Sequence, residues 1–178
     1  MVKKLSGNQL KRLSIEEFKK APKLPVLVLL DNIRSGYNVG AIFRNADAFR
    51  IEKIILTGIT PRPPYREILK TALGATMSVD WDYVKNPVEA VNSLKEVGYK
   101  ILCLEQTDSS VPIHKFCPET DKKYAIIVGS EVSGISDELI KLSDLFVEIP
   151  QFGTKHSLNV AVATGIILWE FAKYYWLT

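Results

Sequence analysis

The chain has 178 residues, 47% of them hydrophobic and 24% charged, with a formal net charge of +3. Those values suit a single globular domain. They exclude a membrane-spanning protein, because no apolar run approaches the length that crosses a bilayer. The N-terminus has no apolar signal-peptide core. Cys103 and Cys117 stand in no metal-ligand spacing with His114 and His156, so neither a disulfide nor a metal site is expected, and a reducing cytoplasm is the expected setting.

The charge is uneven. Residues 1–23 carry seven Lys and Arg against Glu16 and Glu17, a net +5, which leaves residues 24–178 at −2. The expected organisation is a basic N-terminal arm, residues 1–24, ahead of one domain at 25–178. Ser14-Ile15-Glu16-Glu17 is a capping box, so the arm should contain a helix. A basic arm suits phosphate contact and equally suits a solvated helix face.

Val26 to Leu30 is a continuous apolar run, expected of a strand buried on both faces. A polar loop from Asp31 to Asn38 follows, then a helical pattern from Val39 to Phe49 with Asn38 at its N-cap. Lys53 to Leu56 is a second strand. Pro61, Pro63 and Pro64 enforce a loop, and Arg66 to Leu73 is a short helix ending near Gly74. Val79 to Val84 reads as an edge strand, Pro87 to Val97 as a helix stopped by Gly98, and Lys100 to Leu104 as a strand. Tyr124 to Val128 is a strand, Gly129 to Gly134 a turn, and Asp137 to Leu142 a helix. The strand at Leu145 to Ile149 leads into a long terminal helix from Leu158, with Ser157 as its expected cap. Strands alternating with helices predict an α/β fold, a mostly parallel sheet with helices on both faces.

In such sheets ligands gather outside the carboxyl ends of the strands. Those ends carry Asp31 to Arg34, Asn38 to Arg44, Glu105-Gln106-Thr107, Gly129 to Gly134, and Pro150 to Asn159. Known nucleotide signatures are missing. The first turn offers only Gly36 and Gly40, in the wrong spacing for a dinucleotide fingerprint. No P-loop or nucleophile elbow follows any strand.

Three segments resemble a known family. They are Asn38-x-Gly40-Ala41-Ile42-x-Arg44, Ile127-Val128-Gly129-Ser130-Glu131-x-x-Gly134-Ile135, and Ile149-Pro150 with Ser157-Leu158-Asn159-Val160-Ala161-Val162-Ala163. In order and spacing they are similar to the three motifs of the SpoU/TrmH family, RNA 2′-O-ribose methyltransferases of the SPOUT superfamily. The resemblance runs from about Pro25 to the C-terminus.

The resemblance implies a C-terminal trefoil knot, which periodicity alone would never suggest. It implies S-adenosylmethionine as methyl donor, held by the loops after Leu104, Val128 and Ile149. The expected cofactor positions are Leu104, Glu105, Gln106, Val128, Gly129, Gly134, Ile149 and Leu158. Gly129 is expected to let backbone approach the nucleoside without a Cβ. Arg44 matches the catalytic arginine, with Asn38, Glu131, Ser157 and Asn159 in support. A guanidinium rarely gives up its proton, so orienting the hydroxyl and neutralising a phosphate is the gentler role for Arg44. Taken singly, Arg44 reads as a surface ion-pair partner, Asn38 as a helix cap and Glu131 as a turn residue. Their co-occurrence at strand ends favours a site.

By the same resemblance the partners are RNA, either tRNA or rRNA, and a second copy of the chain. Trp169, Phe171, Tyr174, Tyr175 and Trp176 offer aromatic surface for a homodimer seam or for the monomer core. Lys11, Arg12, Arg62, Arg66, Lys70 and Lys155 are the candidate phosphate contacts. The arm is expected to stand in place of the extra N-terminal RNA-binding domain that some relatives carry. Two other readings stay open: a non-catalytic RNA-binding or assembly protein with this fold, and a base methyltransferase from another branch of the superfamily.

Overall fold

A computed structural model describes residues 2–5, 7–10, 12–130 and 132–177. Lys11 and Glu131, both singled out above, lie outside the described residues. The arm's helix, α1 (Ile15–Lys20), has its capping box: Ser14 Oγ accepts from the Glu17 amide, and Glu17 accepts from the Ser14 amide. Phe18 anchors it, buried at 4% exposure.

Seven strands form one sheet: β1 (Leu24–Asp31), β2 (Ile51–Thr57), β3 (Trp81–Val84), β4 (Tyr99–Leu104), β5 (Val111–Pro112), β6 (Lys123–Gly129) and β7 (Leu145–Glu148). Their spatial order is β3-β2-β1-β6-β4-β7-β5, and every neighbouring pair is parallel. The side chains of β1 alternate between two cores. Val26, Val28 and Leu30 face a core shared with α2 (Gly36–Phe49), α3 (Arg66–Ala72), α4 (Ala75–Ser78) and α7 (Val160–Trp176). Leu27 and Leu29 face a second core, closed by α5 (Pro87–Glu96) and α6 (Asp137–Leu142). Burial on both faces explains the unbroken apolar run at this strand.

Several boundaries differ from the sequence expectation. Helix α2 begins at Gly36, not Val39, because Ser35 is the cap and its Oγ accepts from the Asn38 amide at 3.3 Å. Asn38 therefore sits inside the first turn. Helix α7 begins at Val160, capped by Asn159 and not Ser157. Both residue types cap well, and the helix starts only three residues beyond Ser157. The two-residue β5 and the one-turn α4 are too short to leave a periodic signal. Ile149 falls just past β7.

Gly40 lets α2 and α3 touch. A Cβ there would overlap the Ile68 carbonyl and the Thr71 hydroxyl. At the other end of the molecule Phe171 of α7 is fully buried, with its ring 5.0 Å from that of Tyr124 and 5.7 Å from that of Phe116. Burying such a ring stabilises by roughly 1.5–3 kcal/mol. Phe171 thus completes the monomer core, whereas Trp169 and Trp176 remain exposed. Cys103 is buried in β4, and loss of solvent pushes its thiol up to about 11, partly offset by the Ser143 hydroxyl 3.0 Å away. No helix among the described residues is long and apolar enough to cross a membrane.

Candidate functional site

The carboxyl ends of β4, β6 and β7 open onto a cavity of about 500 Å³. The sheet order places it where connections diverge: β6 lies between β1 and β4, and β7 between β4 and β5. Such a crevice is where open α/β sheets take their ligands. Three loops wall it, and hydrogen bonds tie them together. After β4, the Glu105 carboxylate accepts from the Gln106 amide at 2.9 Å and from the Ile135 amide at 3.2 Å. Gln106 Nε2 donates to the His156 carbonyl at 3.0 Å, linking this loop to the one after β7. After β6, the Ser130 and Gly134 backbones exchange two hydrogen bonds, at 3.2 and 2.9 Å. Below them Asp31, 2% exposed and in register with Gly129, accepts from the Ser136 amide at 2.9 Å. The cavity's outline is thus held by carboxylates and amides that satisfy one another.

Leu104, Glu105, Gln106, Val128, Gly129, Gly134, Ile149 and Leu158 all line this one cavity, and Ser157 joins them. Sequence reasoning missed Ile140 and named Ser133 and Gln151 only within the strand-end runs, not as cofactor positions. Ile140 points inward from α6, and only its helical spacing hinted at a buried face. The reason for Gly129 also differs from the expected one. The space a Cβ would take is already filled by the backbone of Gly134 and Ile135. The glycine serves close approach of the protein's own loop.

The second part of the site joins α2 and α7. Asn159 caps α7 through Oδ1, which accepts from the Ala161 amide at 3.0 Å and the Val162 amide at 3.3 Å. Its Nδ2 donates to Asn38 Oδ1 at 3.0 Å. Residues 121 positions apart are thereby brought together. Deeper along the same helix pair, Asn45 Nδ2 donates to the Ala161 carbonyl at 2.8 Å. Arg44, the neighbour of Asn45, is exposed. It does not line the cavity, and its side chain makes no hydrogen bond or ion pair to another described residue. The structure joins Asn38 to Asn159 and puts Ser157 in the cavity, while Arg44 stands apart on the open face of α2.

Asn159→Ala removes a helix cap together with the Asn38 contact. It should lower stability by about 1–2 kcal/mol, read as a fall in the urea midpoint at unchanged slope. An unchanged midpoint would mean that the cap contributes nothing.

The candidate phosphate contacts are dispersed. Arg12 and Lys155 are exposed, as is Arg66 at the start of α3. Lys70 lies over the Tyr37 ring at 5.9 Å, and Arg62 over the Tyr83 ring at 4.2 Å. Among the described residues, no group of three or more His, Cys, Asp or Glu is arranged to hold a metal ion.

The family model of the SpoU rRNA Methylase family matches residues 25–169. The chain is 32% identical over 146 residues to the 23S rRNA (guanosine-2′-O-)-methyltransferase RlmB of Neisseria meningitidis serogroup B, covering 82% of this chain and 57% of that protein. It is 31% identical over 166 residues to the tRNA (guanosine(18)-2′-O)-methyltransferase of Aquifex aeolicus, covering 91% of this chain and 74% of that one. Among solved structures, the AdoMet-bound rRNA methyltransferase from Sinorhizobium meliloti superposes with a TM-score of 0.78 at 28% identity, covering 88% of this chain and 62% of its own. The chain thus spans somewhat over half to three quarters of these relatives. The match takes in all three segments that form the cavity and the α2–α7 contact, and the chain belongs to the SpoU rRNA methylase family.

Proposed function

We propose that the chain catalyses S-adenosylmethionine-dependent 2′-O-methylation of a ribose in structured RNA, tRNA or rRNA. The observation that carries this reading is the cavity at the ends of β4, β6 and β7, two of whose three walls are the second and third motif segments. Its lining suits the cofactor. Apolar Leu104, Ile149 and Leu158 can flank an adenine, and loop backbone at Gly129 and Gly134 supplies polar groups. Two of the relatives named above are 2′-O-methyltransferases, and a third was solved with AdoMet bound.

Bound there, S-adenosylmethionine supplies a methyl group on a sulfonium, from which a neutral thioether departs when the ribose oxygen attacks. What remains for the protein is alignment and removal of the hydroxyl proton. The Arg44 guanidinium orients the hydroxyl and neutralises an adjacent phosphate. Asn38 and Asn159 hold the acceptor side of the site against α7 through their mutual hydrogen bond. Ser157 faces the cofactor side, and Glu131 belongs to the same constellation by its place in the second motif.

Two further parts of the reading rest on the family and on the strand order. Strand β7 inserts between β4 and β5, both earlier in the chain, and this supports a C-terminal trefoil knot. Val162, Ile166 and Trp169 of α7 form an exposed apolar stripe beside Ala41 and Asn45 of α2, and this supports a homodimer. Sedimentation as a monomer at every concentration would sink the dimer. We place the enzyme in the cytoplasm, with residues 1–24 as a basic arm ahead of the methyltransferase domain.

The test is transfer of labelled methyl from S-adenosylmethionine to total tRNA and, separately, to rRNA, followed by nuclease digestion. A 2′-O-methylnucleoside is the expected product. Intact cofactor binding with no transfer to either pool would favour an RNA-binding protein, and a methylated base would favour another branch of the superfamily. Removing Arg12, Arg66 and Lys155 together should weaken RNA binding and reduce the slope of log affinity against log salt by up to about 3. An unchanged slope would remove these residues from the RNA contact.

A further inference from the structure

Beside the acceptor side of the site lies a second concavity that the proposed mechanism does not use. It is an open groove of about 670 Å³ at the carboxyl ends of β2 and β3, formed by the Gly58–Tyr65 loop with Trp81 and Tyr83. Its floor and walls are built and fixed. Tyr83 Oη donates to the Gly58 carbonyl at 2.9 Å. The Ile59 amide donates to Asn32 Oδ1 at 3.1 Å, and the Ile33 amide to Thr60 Oγ1 at 3.0 Å. The groove loop is therefore bolted to the loop that leads into α2. Tyr65 presses on the same helix start: its Cδ1 lies 2.9 Å from where a Cβ on Gly36 would stand. Asn38 follows within that turn.

The chemistry of the groove is planar and cationic. The Arg62 guanidinium lies over the Tyr83 ring at 4.2 Å, and its side chain makes no hydrogen bond or ion pair to another described residue, while its carbonyl accepts from the Tyr65 amide at 3.0 Å. Arg62 is exposed, so its donors are accessible from the groove. Tyr65 is 50% exposed at the rim, and α3 beyond it carries Arg66 and Lys70, with Glu67 between them turned toward the start of α2. Stacking planes beside positive charge, with no acidic residue in the lining, match an unpaired nucleobase and its phosphate.

We propose that this groove stacks an unpaired base of the RNA substrate, next to the ribose presented to α2. The inference deepens the methyltransferase reading and rests on it for the identity of the partner. Stacking on the Arg62–Tyr83 pair and on Tyr65 gives affinity without reading sequence.

The probe is a single-stranded oligoadenylate carrying one 2-aminopurine, with an RNA duplex of the same length for comparison. Wild type should quench the 2-aminopurine, as a stacked base requires. Tyr65→Ala should weaken binding of the single strand by about tenfold, within the range for loss of one base–aromatic stack, and leave the duplex unaffected. Tyr65→Phe should keep wild-type affinity, since it keeps the ring. Arg62→Lys keeps the charge but not the plane, so it should lose quenching while retaining the salt slope. Unchanged S-adenosylmethionine affinity in each variant confirms that the fold is intact. Equal binding of the single strand by wild type and Tyr65→Ala overturns the groove, as does an equal loss against duplex or an absence of quenching by wild type. The assay needs no methyl transfer. Quenching without methylation would sink the enzymatic reading alone, and methylation with a neutral Tyr65→Ala would sink the groove alone.

Discussion

Arg44→Ala is expected to lower methyl transfer by about a hundred- to a thousandfold, the usual cost of removing one placed donor from a charged transition state, with S-adenosylmethionine affinity unchanged. The two effects separate because Arg44 lies on the exposed face of α2 and outside the cavity wall. Stability should move by less than about 0.5 kcal/mol, as for other exposed side chains away from packed contacts. Single-turnover kinetics with saturating cofactor, beside a calorimetric cofactor titration, would measure both. Arg44→Lys should recover only part of the rate, since an ammonium keeps the charge but not the planar, bidentate fork. An alanine variant that methylates at the wild-type rate would exclude Arg44 from the reaction.

Gly129→Ala should act on the other half of the site. The added methyl would overlap the Gly134 carbonyl group and the Ile135 amide. Backbone yields less easily than a side-chain tip, so the 130–134 turn must shift. Overpacking of this kind costs about 1–3 kcal/mol. The shift also disturbs the Glu105–Ile135 hydrogen bond that ties the β4 loop to this turn. Cofactor affinity should fall by more than about tenfold, because binding must then restore the displaced wall at a cost of about 1.4 kcal/mol or more. Gly153→Ala is the control: a Cβ there meets nothing within 4 Å, and neither affinity nor stability should change. If Gly129→Ala binds the cofactor as wild type does, the turn is not what shapes the cavity.

The sheet could be read from the sequence because its strands are buried on both faces. Val26–Leu30, Ile101–Leu104 and Tyr124–Val128 leave continuous apolar runs that only a covered parallel sheet demands. The loops after β6 and β7 were readable for a different reason, since each carries one of the family's motifs, and the loop after β4 was placed only by the resemblance. Misreadings arose where neighbouring residues compete for one role. Ser157 and Asn159 are both good caps, and only the tertiary contact from Asn159 to Asn38 decides between them. Gly129 was a glycine for a reason that lies five residues further along. The groove at Gly58–Tyr65 showed in sequence only as a run of prolines, because stacking of Arg62 on Tyr83 spans 21 positions of chain and no local pattern reports it.

The place of β6 in the sheet bears on how the chain reaches its form during synthesis. Strands β1, β2 and β3 lie side by side in order of emergence from the ribosome, so each finds its neighbour already made. On the other side of β1 stands β6, whose residues 123–129 follow almost a hundred residues after β1. Until they emerge, one long edge of the most apolar strand stays open, a surface to which other nascent chains can add. Strand β4 waits as well, because its partners β6 and β7 both come later. The sheet is therefore completed from its middle only when the last third of the chain arrives, and the same late segments bring two of the three walls of the cavity with them.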